Sequence, residues 1–252
     1  MSITIKSKLE IEKMRSAGRV VYETLCLVKR HIKPGITTLE LDNIVEQYIR
    51  KSGAIPSFKG YNGFVKSACI SINEEVIHGI ASKRKLLDGD IVSVDVGAIV
   101  DGYHGDAART FACGNISSEA KQLISVTKQS FFEALPFMKE GNRIFDISKA
   151  IQHYVEENGF SIVREYCGHG IGKNLHEAPE VPNYAGEKRG DGSTRLYAGM
   201  TLAVEPMVNA GQPDIYVAKD KWTVLTADKK LSAHYENTVL ITKGEPVILT
   251  RG

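Results

Sequence analysis

The stretch Gly89-Asp-Ile-Val-Ser-Val-Asp95-Val-Gly97-Ala-Ile-Val-Asp101-Gly102-Tyr-His-Gly-Asp106 contains two strand-like runs joined by an Asp-Gly pair. An Asp-Gly dipeptide between apolar runs predicts a two-residue hairpin turn, because both central residues of that turn need positive φ. Such a turn pairs Val100 with Tyr103 and, counting back along both strands, Gly97 with Asp106.

The predicted hairpin brings two acids onto one face of a sheet. Side chains alternate between faces along a strand, so Asp95 shares a face with Gly97 and therefore with Asp106. The two aspartates become diagonal cross-strand neighbours, about 7–8 Å apart at the backbone. Carboxylates at that spacing can converge on a cation, and we expect Gly97 to leave room for one. Asp101 is interpreted as turn chemistry instead.

A later part of the chain repeats this arrangement. Glu205 follows Gly199 by six residues in an apolar run, as Asp95 follows Gly89. The preceding helical segments match without a gap at an offset of 106, in the pairs Lys33/Lys139, Gly35/Gly141, Leu39/Phe145, Leu41/Ile147, Val45/Ile151, Tyr48/Tyr154 and Gly53/Gly159. Repeated spacing of this kind predicts an internal duplication. We expect one domain spanning 1–252, with halves of roughly 9–115 and 116–250.

Composition and charge narrow the class of protein. The 252 residues are 42% hydrophobic and 25% charged, with a formal net charge of +2. These values are typical of a globular protein and indicate no specificity for nucleic acid. Helical spacing of apolar residues predicts helices from Leu9 to about Arg30 and from Thr38 to about Ser52. No apolar run approaches the ~20 residues that cross a bilayer, so we expect a cytoplasmic protein that does not bind membranes.

The acids of the two halves form a predicted metal site. Two further acids, Asp106 and Glu236, each stand two residues after a histidine and complete a second matching pair with Asp95 and Glu205. A carboxylate in an apolar strand is costly unless it is paired or bound to a metal. The four acids therefore indicate that the halves face each other across a cation site.

A histidine in a glycine-rich setting adds a fifth candidate ligand. His169 lies between Gly168 and Gly170, and we expect these glycines to let the backbone bend the imidazole towards a ligand. Four carboxylates with one neutral imidazole suit two divalent metal ions such as Co, Mn, Fe(II) or Zn. Two such ions can share a water and lower its pKa, which makes hydrolysis the expected reaction.

The segment Tyr166-Cys-Gly-His-Gly-Ile-Gly-Lys-Asn-Leu-His-Glu-Ala-Pro-Glu-Val-Pro-Asn-Tyr184 resembles the signature of type I, bacterial-type methionine aminopeptidases of the M24 metallopeptidases. Similar segments run from 12–18 through 65–73 to 204–210, so the resemblance covers nearly the whole chain. It implies the α+β pita-bread fold, with two pseudo-symmetric αβ halves around a curved antiparallel sheet. It also implies a monomer that removes the initiator methionine from nascent polypeptide N-termini when the second residue is small. Docking at the ribosome is left open.

The resemblance assigns a role to each candidate metal ligand. It makes Asp95 a ligand of one metal, and Asp106 and Glu236 bridging ligands of both. His169 and Glu205 complete the second metal, and Glu205 is also the candidate proton shuttle.

The resemblance likewise implies a substrate site. His176 is expected to hydrogen-bond the scissile carbonyl and stabilise its oxyanion, and His78 to contact the peptide beyond the cleaved bond. The expected methionine pocket is formed by Tyr61, Phe64, Cys69, Leu175 and Trp222, and these five with His78 and His176 are the expected substrate-binding residues.

Several positions depart from the family pattern. Leu175 and Phe64 stand where a phenylalanine and a tyrosine are common, and Gly97 where many relatives carry a polar residue. These changes could resize the pocket or shift the metal preference. The segment 185–195 is longer and more polar than expected and is predicted to be an exposed, mobile loop.

Three other functions remain as alternatives. Aminopeptidase P and prolidase-like enzymes share the fold and metals but cleave next to proline, and they usually carry a large N-terminal domain. A type II methionine aminopeptidase would need a helical insertion of about sixty residues, which this chain is too short to hold. A non-catalytic pita-bread module that binds peptides typically loses metal ligands, whereas all five candidates are present here.

Overall fold

The structure, a computed structural model, describes residues 3–186 and 194–251. Most of the segment predicted to be an exposed loop, 187–193, lies outside these ranges. The described chain forms the helices α1 (Lys8–His31), α2 (Thr38–Lys51), α3 (Ser118–Ala134) and α4 (Ile144–Glu157), with short 3-10 turns at Tyr61–Gly63 and Leu135–Phe137. No helix in the described ranges is long and apolar enough to span a membrane.

The strands fall into two sets, one before and one after α3. The first set is β1 (Ile55–Pro56), β2 (Ala68–Ile72), β3 (Glu75–Ile77), β4 (Ile91–Val100) and β5 (Tyr103–Ala112). The second is β6 (Ser161–Ile162), β7 (Gly168–Gly170), β8 (Glu177–Val181), β9 (Thr201–Val204), β10 (Met207–Asn209), β11 (Ile215–Val217), β12 (Val224–Thr226), β13 (Ser232–His234), β14 (Asn237–Leu240) and β15 (Val247–Ile248).

These strands pair in antiparallel ladders. One sheet runs β1-β4-β2, with β5 also on β4, and another runs β15-β14-β9-β7-β8. Helices α1 and α2 pack on the first sheet around a core that includes Val21, Leu41 and Val94. Helices α3 and α4 cover the second group of strands around Phe131 and Ile147. The fold is thus a mixed α and β fold with antiparallel sheets, as predicted.

The predicted hairpin is confirmed residue by residue. Val100 pairs with Tyr103 and Gly97 with Asp106 across β4 and β5. The turn residues Asp101 and Gly102 have φ of 48° and 80°, the left-handed values that this turn requires.

Glycines at matching places in the two helix–strand units share an unusual backbone conformation. The matched pairs, with their φ angles, are Gly35 at 92° and Gly141 at 95°, Gly53 at 74° and Gly159 at 78°, and Gly89 at 99° and Gly199 at 93°. Because glycine adopts positive φ at little cost, each pair marks an equivalent turn. These agreements support the predicted duplication, whose boundary near 115 stays a prediction.

The two main sheets meet beside the predicted acids. The backbone N–H of Asp106 in β5 donates to Thr238 Oγ1 in β14 at 3.0 Å, and the same hydroxyl donates to the Asp106 carbonyl at 2.9 Å. The N–H of Glu236 donates to the carbonyl of Ala108 at 3.0 Å. These bonds fix the acid of one half against the acid of the other.

The acid pair of the second half is arranged differently from that of the first. Val204 pairs with Asn237 and Met207 with His234, so one register places Glu205 directly opposite Glu236. Asp95 and Asp106 are instead diagonal neighbours, since Asp106 lies opposite Gly97. The two carboxylate pairs therefore approach the centre in unequal ways.

A substitution at Gly18 in α1 can test how closely this helix packs against the C-terminal segment around Leu249. Alanine usually stabilises a helix relative to glycine by roughly 0.5–1 kcal/mol. A Cβ at Gly18, however, would lie 2.2 Å from the carbonyl oxygen of Leu249. We therefore expect Gly18→Ala to lower the free energy of unfolding by about 1–3 kcal/mol in urea denaturation.

Gly244→Ala is the matched control, because a Cβ there would meet nothing within 4 Å. We expect its free energy of unfolding to stay within about 0.5 kcal/mol of the parent protein. A Gly18→Ala protein as stable as the parent would show that the packing of α1 on the C-terminal segment is looser than described.

Candidate metal centre

The five predicted ligands come from strands of both sheets and line one cavity. Asp95 and Asp106 project from β4 and β5, His169 lies in β7, Glu205 follows β9 and Glu236 precedes β14. All five line a cavity of about 180 Å³. Side-chain oxygen or nitrogen atoms of Asp106, His169 and Glu236 all lie within 4.8 Å of one another. Residues of both halves thus line one cavity, Asp95 and Glu205 lie outside the closest group of three, and the assignment of all five as metal ligands stays a prediction.

A backbone hydrogen bond determines which nitrogen of His169 is free to bind a metal. Its Nδ1 lies 2.9 Å from the carbonyl oxygen of Gly170, and because a carbonyl can only accept, Nδ1 carries the proton. The lone pair is then on Nε2, which lies 3.5 Å from Glu205 Oε1. Burial lowers the pKa of His169 to about 3, so the imidazole is neutral at pH 7. This is the tautomer and charge state of a metal ligand.

The glycines beside His169 lie where neighbouring strands approach closely. Neither Gly168 nor Gly170 has positive φ, but the β7–β8 register shifts between His169 and Gly170, and the expected role of a backbone bend stays a prediction. A Cβ at Gly168 would lie 2.3 Å from the carbonyl oxygen of Ala203, and one at Gly170 would lie 2.2 Å from that of Ala178. Glycine is needed here because β8 and β9 approach β7 closely on both sides.

The buried acids lack the partners that carboxylates usually have. Asp95 Oδ1, Asp106 Oδ1 and Glu236 Oε1 are buried without a hydrogen-bond partner among the described residues. Burial raises the pKa of Asp95 to about 7. Burial, followed by repulsion from neighbouring carboxylates, raises the pKa values of Asp106, Glu205 and Glu236 well above their usual range. Divalent cations would neutralise this charge and supply partners to these oxygens, so the residues fit a metal site.

A half-buried arginine holds the backbone around Glu236. One guanidinium nitrogen of Arg109 donates to the carbonyl oxygens of Ala108 and Glu236, and the other donates to Asn237 Oδ1 at 2.6 Å. The guanidinium carbon lies 4.2 Å from the ring centroid of Tyr235. These contacts fix the backbone on both sides of the acid without using its carboxylate. That carboxylate remains available to the cavity.

The other residues predicted for the substrate site line the same cavity. They are Tyr61, Phe64, Cys69, His78, Leu175, His176 and Trp222. Phe64, Cys69 and Leu175 are buried, and the ring of Phe64 meets that of Trp222 edge-on with centroids 5.1 Å apart. Burial raises the pKa of the Cys69 thiol, and the nearby acids raise it further. Cys69 therefore stays protonated and packs as a small apolar group.

Two histidines stand at the edge of the apolar pocket. The Tyr61 hydroxyl and His176 Nδ1 are hydrogen-bonded at 2.7 Å, and the rings of His176 and His169 have centroids 4.2 Å apart. His78 has φ of 59°, a conformation that a residue other than glycine rarely adopts, and burial lowers its pKa to about 4. Both side chains can offer a neutral N–H to a group in the cavity.

The structure corrects the expected role of Gly97. A Cβ at this position would lie 2.7 Å from Ser57 Cβ and 2.8 Å from Phe58 Cε1. The space beside Gly97 is thus filled by the chain around β1, and it is not a place for a cation. The missing side chain instead lets Phe58 reach the cavity wall.

Three residues near the site were not predicted. Phe58 and Asn62 line the cavity, and His234 is buried with its Nε2 at 3.9 Å from Glu205 Oε2. The run Phe58-Lys-Gly-Tyr-Asn-Gly63 has aromatic residues among glycines, which could have indicated a binding loop. His234 stands two residues before Glu236, a spacing that aligns the two halves but does not by itself indicate that the histidine faces the acids.

The fold and site together define a metallopeptidase with a carboxylate-rich centre, and comparisons with known proteins agree. The family model of metallopeptidase family M24 matches residues 12–243. The methionine aminopeptidase of Clostridium perfringens is 55% identical over 248 residues, covering 98% of both chains. The crystal structure of methionine aminopeptidase from Thermotoga maritima matches with a TM-score of 0.96 and 43% identity, covering 100% of both chains.

A more distant structure matches by fold alone. The prolidase from Pyrococcus furiosus has a TM-score of 0.80 and 24% identity, covering 98% of this chain and 65% of that one. The chain belongs to metallopeptidase family M24 and, within it, to the bacterial-type methionine aminopeptidases. The predicted fold class and enzyme class are both confirmed.

Metal binding at pH 7 should displace protons. The raised pKa values of the four carboxylates mean that the metal-free site holds protons at neutral pH, whereas neutral His169 has none to release. We expect Mn²⁺ to displace roughly one or more protons per chain, and its affinity to rise as the pH increases. Titration calorimetry in two buffers of different ionisation enthalpy measures this release.

Asp95→Asn is the comparison for this titration, because an amide of the same shape carries no acidic proton. The variant should bind Mn²⁺ more weakly and displace fewer protons than the parent. Equal binding heats in the two buffers for the parent protein would show that the carboxylates are already ionised in the metal-free site.

Proposed function

We propose that the chain hydrolyses the first peptide bond of polypeptides that begin with methionine, with two divalent ions held by Asp95, Asp106, His169, Glu205 and Glu236. The observation that carries this proposal is one cavity that joins unpartnered buried carboxylate oxygens to an apolar pocket. Bound divalent metal lowers the pKa of water and supplies a hydroxide nucleophile near neutral pH. Co, Mn, Fe(II) and Zn all suit this donor set.

The chain's own residues would handle the protons of the reaction. Burial, with repulsion from Asp95, raises the pKa of Glu205, so its carboxyl group can hold a proton at neutral pH. A carboxyl group with a raised pKa suits the transfer of a proton from water to a leaving amine. Glu205 is therefore the proposed proton shuttle.

Two neutral histidines would bind the peptide around the cleaved bond. His176 stands beside His169 and can donate to the scissile carbonyl as negative charge develops on its oxygen. His78 packs between Tyr166 and Trp222, with ring centroids 5.7 and 6.4 Å away. This cluster narrows the cavity beyond the pocket, which favours a small second residue.

The apolar part of the cavity suits a methionine side chain. Its walls include Phe58, Phe64, Cys69, Leu175 and Trp222. The whole cavity of about 180 Å³ is comparable with an apolar cavity of ~150 Å³ that admits benzene. A flexible thioether packs well against aromatic rings of this kind. The monomeric state stays a prediction from the resemblance, the cytoplasmic location stays a prediction from the sequence, and docking at the ribosome stays open.

The competing function is cleavage next to proline, because prolidases share the fold. The test compares release of methionine from Met-Gly-Met-Met with release of alanine from Ala-Pro-Ala, using metal-stripped protein reloaded with Co²⁺ or Mn²⁺. We expect metal-dependent release from the methionine peptide alone. His169→Ala should abolish it at limiting metal, because one ligand is lost.

His176→Ala separates catalysis from metal binding. Since His176 lies outside the ligand set, the variant should bind Mn²⁺ like the parent while kcat falls by roughly 10²–10³-fold, the usual cost of losing one oxyanion donor. Cleavage of Ala-Pro-Ala would assign the chain to the proline-specific peptidases. No turnover with any of the metals would favour a non-catalytic protein that binds peptides.

A further inference from the structure

A buried ion pair links the start of the chain to the loop that carries His176. The N-terminal strap, residues 3–7, precedes α1 and bonds to the turn before β9 through Lys6 N–H and the Gly199 carbonyl, 2.8 Å apart. The Lys6 side chain is 5% exposed, and its Nζ lies 2.6 Å from Glu177 Oε2. The hydroxyl of Thr4 donates to the same carboxylate oxygen at 2.6 Å.

The other oxygen of Glu177 closes the loop between β7 and β8. Glu177 Oε1 accepts from the backbone N–H of Asn174 at 3.0 Å. Within the loop, Gly172 N–H donates to the Asn174 carbonyl at 3.1 Å, and the Gly172 carbonyl accepts from His104 N–H at 2.8 Å. A Cβ at Gly172 would lie 2.5 Å from Lys6 Cε, so the lysine stem packs directly on the loop.

This loop carries two residues of the cavity, Leu175 and His176. Leu175 is buried, whereas His176 is exposed at the cavity mouth and is held there by its bond to Tyr61. The position of His176 relative to the acids therefore depends on the shape of the loop. Lys6 packs against this loop and Glu177 directly follows it in sequence. Together they hold the loop in its shape.

A buried ion pair is poor evidence of stability by itself, because desolvation offsets much of the attraction. The pair here joins residues 171 apart in sequence and ends beside a proposed catalytic histidine. The location of the ion pair indicates that it fixes the position of His176. Small displacements of a catalytic group lower reaction rates strongly.

We propose that Lys6 is a positioning residue for His176, acting through Glu177 and the loop 171–176. The inference rests on the proposed function, because it assumes that His176 stabilises the transition state. Lys6 itself touches neither the cavity nor the predicted ligands, so metal binding should not depend on it.

The test is a double-mutant cycle on methionine release, with the enzyme saturated with Mn²⁺. Lys6→Met keeps the length of the side chain and removes its charge. It should lower kcat by about 10-fold. In a His176→Ala background the same change should have no further effect on kcat, because the residue through which Lys6 acts is absent. Manganese affinity should be the same in all four proteins.

Lys8→Met is the matched control, because Lys8 is exposed two residues further along the chain. It should leave kcat unchanged. Lys6→Arg should recover part of the lost kcat, since it restores a cation beside Glu177. A Lys6→Met variant with lower thermal stability but unchanged kcat would reduce the pair to a structural role.

The cycle also separates this inference from the proposed function. A parent protein that releases no methionine would overturn the proposed function. A parent that releases it and loses activity in His176→Ala, while Lys6→Met and His176→Ala act additively, would overturn only the role of Lys6.

Discussion

Four carboxylates share one buried space, and their mutual repulsion is the constraint on which the site depends. Each is desolvated, and oxygens of three of them have no hydrogen-bond partner among the described residues. Such an arrangement opposes folding unless cations or protons neutralise it. The surrounding structure counters it with fixed backbone, through Thr238 bonded to Asp106 and Arg109 bonded to the Glu236 carbonyl. Acids from four different strand positions are therefore held around one cavity.

The two halves supply their acids in different ways. Asp95 and Asp106 lie within β4 and β5, whereas Glu205 follows β9 and Glu236 precedes β14. Diagonal pairing of Asp95 and Asp106, against direct pairing of Glu205 and Glu236, makes the site asymmetric. The acids therefore surround the cavity unequally, and His169 and the apolar residues line the rest of it.

Local patterns made much of this predictable from the sequence. The Asp-Gly turn determines the register of β4 and β5, so the shared face of Asp95 and Asp106 follows from counting. The acids themselves stand out because apolar strands rarely contain them. The pocket residues could be placed only through the resemblance, because the sequence does not distinguish a phenylalanine in a pocket wall, such as Phe64, from one in the hydrophobic core.

Contacts between distant segments could not be read in the same way. The expected gap at Gly97 is filled by Ser57 and Phe58, which follow the two-residue strand β1 and show no periodic pattern. The pairing of Lys6 with Glu177 joins positions 171 apart and has no local spacing that would indicate it. Glycines beside His169 indicated a special backbone, but whether they permit a bend or a close approach depends on neighbouring strands.

We propose that the carboxylates and His169 hold two divalent ions beside the apolar pocket, and anomalous diffraction from crystals grown with Mn²⁺ would locate such ions. We expect two adjacent peaks, with Asp106 and Glu236 reaching both, Asp95 on one side, and His169 and Glu205 on the other. Manganese bound elsewhere, with the four acids paired to each other through protons, would overturn the proposed metal centre.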